Sequence, residues 1–280
     1  MIRTPIRCLT VALLLVTRPA WSAAHEFVVY TPGMGGTREQ ARPFLELFFR
    51  AVEGQLGWKP KSVDGQFFED AHQAREFIEK NHPAYGLIAP SLYLELACAK
   101  PAPEPIASIV GLGHSSGSVR YYLMVKDGAF KTLEDLRGKR LSSNHLMNPK
   151  FLSRVVFAGK IDVASFFQLL ATNSPVKPFK ALDRGEAEAV LIDEAQFENM
   201  KSLPIGASLR VLFSSSPLPP SPVVAFGRSV QPAERDAVKK TLAALCSSPT
   251  GAPVCRELQI VRFDPLDAAA YRPAVQQYCK

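Results

Sequence analysis

Residues 119–144 constrain the fold of this chain more than any other stretch. Tyr121, Leu123 and Val125 alternate with Tyr122, Met124 and Lys126, a period of two that predicts a strand. Asp127-Gly128 then turns the chain. Thr132 followed three residues later by Asp135 has the form of an N-terminal capping box, and Gly138 can end the resulting short helix in a left-handed conformation. A second apolar step after Lys139 delivers Ser142, Ser143, Asn144 and His145 to the mouth of another helix, because Asn148-Pro149 reads as an N-cap and a first-turn proline. Small polar side chains at the end of a strand and the start of a helix make a place to hold a ligand.

The same alternation runs along the chain. A strand over 27–30 leads into the turn Thr31-Pro32-Gly33-Met34-Gly35-Gly36 and a helix opened by a Thr37/Gln40 capping box. Helix 70–80, strand 85–89, helix 91–97 and strand 106–112 follow. Beyond 144 the pattern predicts helices over 148–156, 162–170 and 177–184, a buried strand 189–192 ending at Asp193, a helix 194–201 and a strand 209–214. The proline-rich run 214–222 precedes a strand 223–226, a helix 232–245 and a C-terminal helix. Strands alternating with helices give an α/β protein with mainly parallel sheets flanked by helices. Ligands in such sheets gather at the carboxyl ends of strands, where Tyr30, Gly35, Gly36, Thr37, Ser91 and Tyr93 fall. The glycine-rich turn offers backbone N–H groups to an anion but lacks the lysine of a nucleotide-phosphate loop, so ATP binding is not expected.

Arg3 and Arg7 precede an apolar run over 8–16, and Ser22-Ala23-Ala24 offers a small-residue cleavage site, so residues 1–24 read as a signal peptide and the mature protein starts near His25. Losing the leader's three arginines takes the formal charge from +7 to about +4, too weak an excess to suggest nucleic acid. Four cysteines remain, an even number that in an exported chain reads as two disulfides. Cys246 and Cys255 flank a turn-rich loop suited to a local bridge, which leaves Cys98 for Cys279. His25, His72, His82, His114 and His145 are scattered without zinc spacing, so neither a metal nor a cofactor is expected.

Gly113-His114-Ser115-Ser116-Gly117 matches the nucleophile elbow of hydrolases, with Ser115 as nucleophile. That elbow requires a helix after the turn, whereas residues 119–126 read as a strand.

The segment Leu133-Glu134-Asp135-Leu136-Arg137-Gly138-Lys139 resembles the Leu-x-Asp-Leu-x-Gly-Lys signature in the second lobe of the substrate-binding proteins of phosphate, phosphite and phosphonate ABC transporters. Gly185 to Asp193, and the ending Phe263-Asp264-Pro265 with Tyr271-Arg272-Pro273, also look like that family. The resemblance implies a two-lobe periplasmic-binding-protein fold of type II, with lobe 1 over 25–114 plus 223–280 and lobe 2 over 115–222, joined by hinge crossings. It also implies a monomeric periplasmic protein that captures a small anionic or zwitterionic solute between its lobes and docks on an ABC permease. The ligand set expected is Tyr30, Gly35, Gly36, Thr37, Ser91 and Tyr93 from one lobe, and Ser142, Ser143, Asn144, His145 and Asp193 from the other. Many relatives present a Ser-Thr-Ser-Gly run to the oxyanion; here Ser142-Ser143-Asn144-His145 stands in its place, which implies an altered specificity. The rival readings are an exported serine hydrolase using Ser115, and a binding-protein fold reused as a sensor or interaction module.

Overall fold

The computed structural model describes residues 25–32, 37–111, 118–202, 204–227 and 229–280. The chain first lays down β1 (His25–Tyr30), β2 (Val63–Phe67), β3 (Tyr85–Ile88) and β4 (Glu104–Gly111). It then builds a second sheet from β5 (Tyr121–Lys126), β6 (Arg140–Ser143), β7 (Gln168–Ala171), β8 (Ala189–Asp193) and β9 (Leu209–Ser214). It finally returns β10 (Pro222–Ala225) and β11 (Ile260–Pro265) to the first sheet. The strand orders are β11-β4-β10-β3-β1-β2 and β7-β6-β8-β5-β9. Both sheets are mixed. β1 runs parallel to β2 and β3, and β6 parallel to β7 and β8. β10 is antiparallel to β3 and β4, and β5 to β8 and β9. These reversed strands follow directly from the segments that cross between the two lobes, so each enters its sheet from the cleft side instead of over a helix. The crossings are themselves tied together, since Val119 and Leu218 exchange backbone hydrogen bonds of 2.8 and 2.9 Å.

Helices α1 (Arg38–Leu56), α2 (Ala71–Asn81), α3 (Pro90–Ala97), α8 (Pro232–Leu245), α9 (Gly251–Glu257) and α10 (Ala268–Cys279) belong to the chain on either side of the second sheet. α4 (Pro149–Phe151), which continues as the π-helical turn Leu152–Val156, α5 (Val163–Phe166), α6 (Lys177–Asp183) and α7 (Glu194–Met200) accompany the second. The boxes read from sequence are formed. Thr37 accepts from Gln40 N while the Gln40 side chain accepts from Thr37 N. Asp135 Oδ2 accepts from Thr132 N at 2.9 Å and Thr132 Oγ1 from Asp135 N at 3.4 Å, around a single 3₁₀ turn. Gly138 follows at φ +72°. The helix expected over 162–170 is shorter: it stops at Phe166, and Gln168–Ala171 pairs with Arg140–Ser143 as an edge strand. The backbone groups along the outer edge of β6 need partners, and this strand supplies them, overriding the local helical pattern.

Strand alternation divides the core. Phe27 and Val29 face a cluster with Phe48, Phe49, Val52 and Leu242, whereas Val28 and Tyr30 face the other side of the sheet. There they join Ile88, Tyr121, Leu123, Leu141 and Leu191, so one continuous apolar cluster runs beneath both sheets. Cys98 is bonded to Cys279, joining the end of α3 to that of α10, and Cys246 to Cys255 between α8 and α9, with Cα separations of 5.7 and 5.4 Å. Among the described residues no helix is long and apolar enough to cross a membrane.

Candidate functional site

The carboxyl ends of β1, β3, β6 and β8 converge on a cavity of about 460 Å³. Tyr30, Thr31 and Ser91 line it from the first lobe, and Tyr121, His145 and Asp193 from the second. Tyr121 opens the antiparallel strand β5 directly opposite Asp193 at the end of β8, which brings both to the same rim.

Asp193 and His145 form the polar centre. Asp193 caps α7: its Oδ1 accepts from Gln196 N at 2.9 Å, and the Gln196 side chain accepts from Asp193 N at 3.2 Å. Its other oxygen, Oδ2, lies 3.4 Å from His145 Nε2. Tyr121 stands edge-on to the imidazole, ring centroids 5.2 Å apart. Burial, reinforced by the negative charge of Asp193, holds the Tyr121 phenol well above its ordinary pKa, so it faces the cavity as a neutral hydroxyl. The Tyr30 phenol is raised in the same way, by burial first and then by Asp70 and Glu95.

A chain of amides fixes the polarity of this centre. Asn144 Nδ2 donates to Pro32 O at 2.7 Å, so Asn144 Oδ1 is the atom that accepts from Gln196 Nε2 at 3.1 Å. Gln196 Nε2 donates also to Pro175 O at 3.2 Å. Gln196 Oε1 is therefore an acceptor, and His145 Nε2, 3.1 Å away, must carry the hydrogen that meets it.

Of the residues expected to bind ligand, Tyr30, Ser91, His145 and Asp193 line the cavity. Thr37 is exposed as the cap of α1. Tyr93 is buried against Tyr271, ring centroids 4.3 Å apart. Ser142, Ser143 and Asn144 sit one layer behind: Ser142 Oγ donates to Leu170 O at 3.3 Å, and Ser143 Oγ donates to Leu191 O at 2.6 Å while accepting from His145 N at 3.0 Å. Gly35 and Gly36 lie outside the described residues, as does Ser115 with its Gly-x-Ser-x-Gly motif. Downstream of that motif the chain enters β5, a strand, where an elbow requires a helix. Thr31, Tyr121 and Gln196 are cavity residues that sequence reasoning passed over. Gln196 had a visible signal, since it is the third helical residue of the Asp193 capping box. Thr31 Oγ1 is buried without a hydrogen-bond partner among the described residues. Among the described residues no group of three or more His, Cys, Asp or Glu side chains could hold a metal ion.

The family model described as "ABC transporter, phosphonate, periplasmic substrate-binding protein" matches residues 37–271. No protein of curated function matches the chain in sequence. Among solved structures, the binding protein component of an ABC phosphonate transporter from Pseudomonas aeruginosa superposes with a TM-score of 0.69 at 16% identity, over 91% of this chain and 85% of that one. A Xanthomonas citri protein solved with ATP gives 0.68 at 16% identity, over 92% and 96% of the two chains. A Prochlorococcus marinus protein solved with methylphosphonate gives 0.67 at 13% identity, over 90% and 96%. At these identities the likeness of the structures establishes a shared two-lobe fold, and the family match extends over most of the sequence. The chain belongs to the phosphonate family of periplasmic substrate-binding proteins of ABC transporters.

Proposed function

We propose that this protein is exported by cleavage near His25, acts as a monomer, and captures a small anionic or zwitterionic solute between a lobe of residues 25–114 plus 223–280 and a lobe of residues 115–222, for delivery to an ABC permease. The observation that carries this reading is the cavity between the two sheets, with Tyr30, Ser91, Tyr121, His145 and Asp193 on its walls. Its two walls belong to different lobes, so an occupant touches both and favours the closed arrangement over the open one. Pro90 and Ser91 begin α3, whose first N–H groups and dipole suit an anionic group, while Asp193 suits an amine on the same solute. Two polar residues behind the walls support the site: Ser143 holds His145 and Asn144 holds Gln196.

A thermal-shift screen of phosphonates, other oxyanions and amine-bearing metabolites tests the reading. A solute at a hundred times its dissociation constant stabilises the folded state by about 2.7 kcal/mol. The reading expects such a solute to exist and Asp193→Ala to weaken it with the protein still folded. Hits bound equally well by Asp193→Ala and by a Ser91→Ala, His145→Ala double variant would place binding elsewhere.

A further inference from the structure

Helix α10 follows the last strand of the first sheet but rests on both lobes. Near its start, the Tyr271 hydroxyl donates to the carbonyl of Pro220 in the returning crossing segment, and its ring packs against that of Tyr93 on α3, centroids 4.3 Å apart. Near its end, Tyr278 is held by the second lobe. Asn148 Nδ2 donates to its hydroxyl at 3.2 Å, Arg154 Nη1 donates to its carbonyl at 2.9 Å, and Lys150 Nζ stands 4.4 Å from its ring centroid. Ala274 and Tyr278 also share an apolar cluster with Phe151, Leu152 and Val155. The residue after Tyr278 is Cys279, bonded to Cys98. Cys98 ends α3, an eight-residue helix about 12 Å long whose other end places Ser91 in the cavity wall. The Cys98–Cys279 bond therefore ties a first-lobe helix that reaches the cavity to a helix end that the second lobe holds. Both of its cysteines are exposed, whereas Cys255 of the other bridge is 2% exposed. A thiolate has to reach a sulfur in order to displace it, so the exposed bridge is the one that exchanges first.

We infer that Cys98–Cys279 is a redox-controlled strap across the two lobes. Oxidised, it limits how far the second lobe can swing from α3; reduced, the end of α10 travels with the second lobe and more open arrangements enter the ensemble. The contacts of Tyr278 with Asn148, Arg154 and Lys150 involve no sulfur and survive the change. The reductant is a dithiol. One of its thiolates attacks a sulfur of the bridge, the other cysteine leaves as a thiolate and takes a proton, and the second thiol of the reductant then displaces the remaining cysteine from the mixed disulfide. Two electrons and two protons end on Cys98 and Cys279 as thiols, and the dithiol leaves as its own disulfide. The strap needs only the two-lobe fold; its consequence for capture, a weaker hold on solute in the reduced form, rests on the proposed function.

The test is reduction of the folded, mature chain by dithiothreitol with no solute present, followed by thiol-trapping mass spectrometry, amide hydrogen exchange and small-angle scattering. Cys98–Cys279 is expected to open about tenfold or more faster than Cys246–Cys255. With that bridge alone reduced, exchange should rise about tenfold or more at the end of α3 and at Val119 and Leu218, whose paired backbone hydrogen bonds report flexing of the crossings. It should stay unchanged in β1, in β3 and over 149–156, and the radius of gyration should increase. The Cys98→Ser, Cys279→Ser double variant is expected to reproduce these changes, and Cys246→Ser, Cys255→Ser to leave them out. Reduction of Cys246–Cys255 first, or of both bridges together, would overturn the inference. Exchange that rises evenly over the whole chain would make the bridge a general staple, and exchange that rises over 149–156 would mean that α10 leaves the second lobe; either overturns the strap, as does an unchanged radius of gyration. The thermal-shift screen for a solute is a separate measurement, so its failure would remove the proposed function without altering these outcomes.

Discussion

Asn144 Nδ2 donates to the carbonyl of Pro32 at 2.7 Å, a bond from the loop after β6 to the loop after β1 that spans the base of the cleft. Because Asn144 Oδ1 holds Gln196 Nε2, and Gln196 Oε1 holds His145 Nε2, the polar centre of one lobe is connected by three successive bonds to the backbone of the other. Replacing Asn144 with alanine removes the cross-cleft bond and leaves both Pro32 O and one Gln196 N–H without it. Urea unfolding is expected to show a loss of about 1–3 kcal/mol, toward the lower end where cleft water can replace the lost partner. An unchanged unfolding midpoint would mean that the bond contributes nothing to stability.

The two disulfides should differ in what they contribute. Cys98–Cys279 closes a loop with a sequence separation of 181, whereas Cys246–Cys255 closes one of 9. Chain-entropy reasoning gives about 5 kcal/mol for the first and about 3 kcal/mol for the second. The first also holds the end of α10, where Tyr278 is held by residues of the second lobe: Asn148 Nδ2 donates to its hydroxyl at 3.2 Å and Arg154 Nη1 to its backbone carbonyl at 2.9 Å. Double serine variants compared by denaturant unfolding should therefore rank Cys98/Cys279 as the more destabilising pair. The reverse ranking would count against this account.

Much of the fold was legible because local signals agreed with the tertiary result. The boxes at Thr37 and Thr132, the prolines opening α3 and α4, and the glycines at the ends of short helices are one- to four-residue patterns with local physics. β7 was not legible, because Gln168–Ala171 is a strand only in the presence of the β6 edge. The site was legible by strand end and less so by layer. Periodicity brings Ser142, Ser143, Asn144 and His145 to one rim, but only packing decides that Ser143 turns inward to Leu191 O while His145 faces the cavity. Tyr121 was read only as part of a strand, and its place at the rim depends on a register, Tyr121 opposite Asp193, that no local pattern encodes.

Glu53 is a buried carboxylate, 3% exposed, on the last turn of α1. It accepts backbone N–H bonds from Lys61 at 3.1 Å and Val63 at 2.8 Å, fixing the entry into β2 where Lys61 adopts φ +63°. Glu53→Ala should lower stability by about 2–4 kcal/mol, since two charge-assisted bonds are lost and two backbone donors are left in a partly buried place. Glu53→Gln, which keeps one acceptor oxygen, should lose less. Equal losses in the two variants, measured by urea unfolding, would show that side-chain volume matters more than the bonds.

Acid should weaken the second lobe through Glu188. Its side chain meets Arg140 through Oε1 to Nη2 at 2.6 Å and Oε2 to Nε at 3.1 Å, and accepts from Arg140 N at 2.9 Å, pinning the start of β6 beside that of β8. The Arg140 side-chain bonds hold the Glu188 carboxyl below its ordinary value of 4.5, with the Arg140 backbone N–H and charge acting the same way and burial opposing them. A carboxylate whose pKa is lower folded than unfolded contributes stability that is fully present above about 4.5 and is lost as pH falls through the folded value. The pair is partly solvated, with side chains 40% and 28% exposed, so its contribution at neutral pH is no more than about 1 kcal/mol. The stability difference between the parent protein and Glu188→Gln should accordingly be measurable in urea at pH 7 and shrink toward pH 3. A difference that grows on acidification would contradict the sign of this linkage.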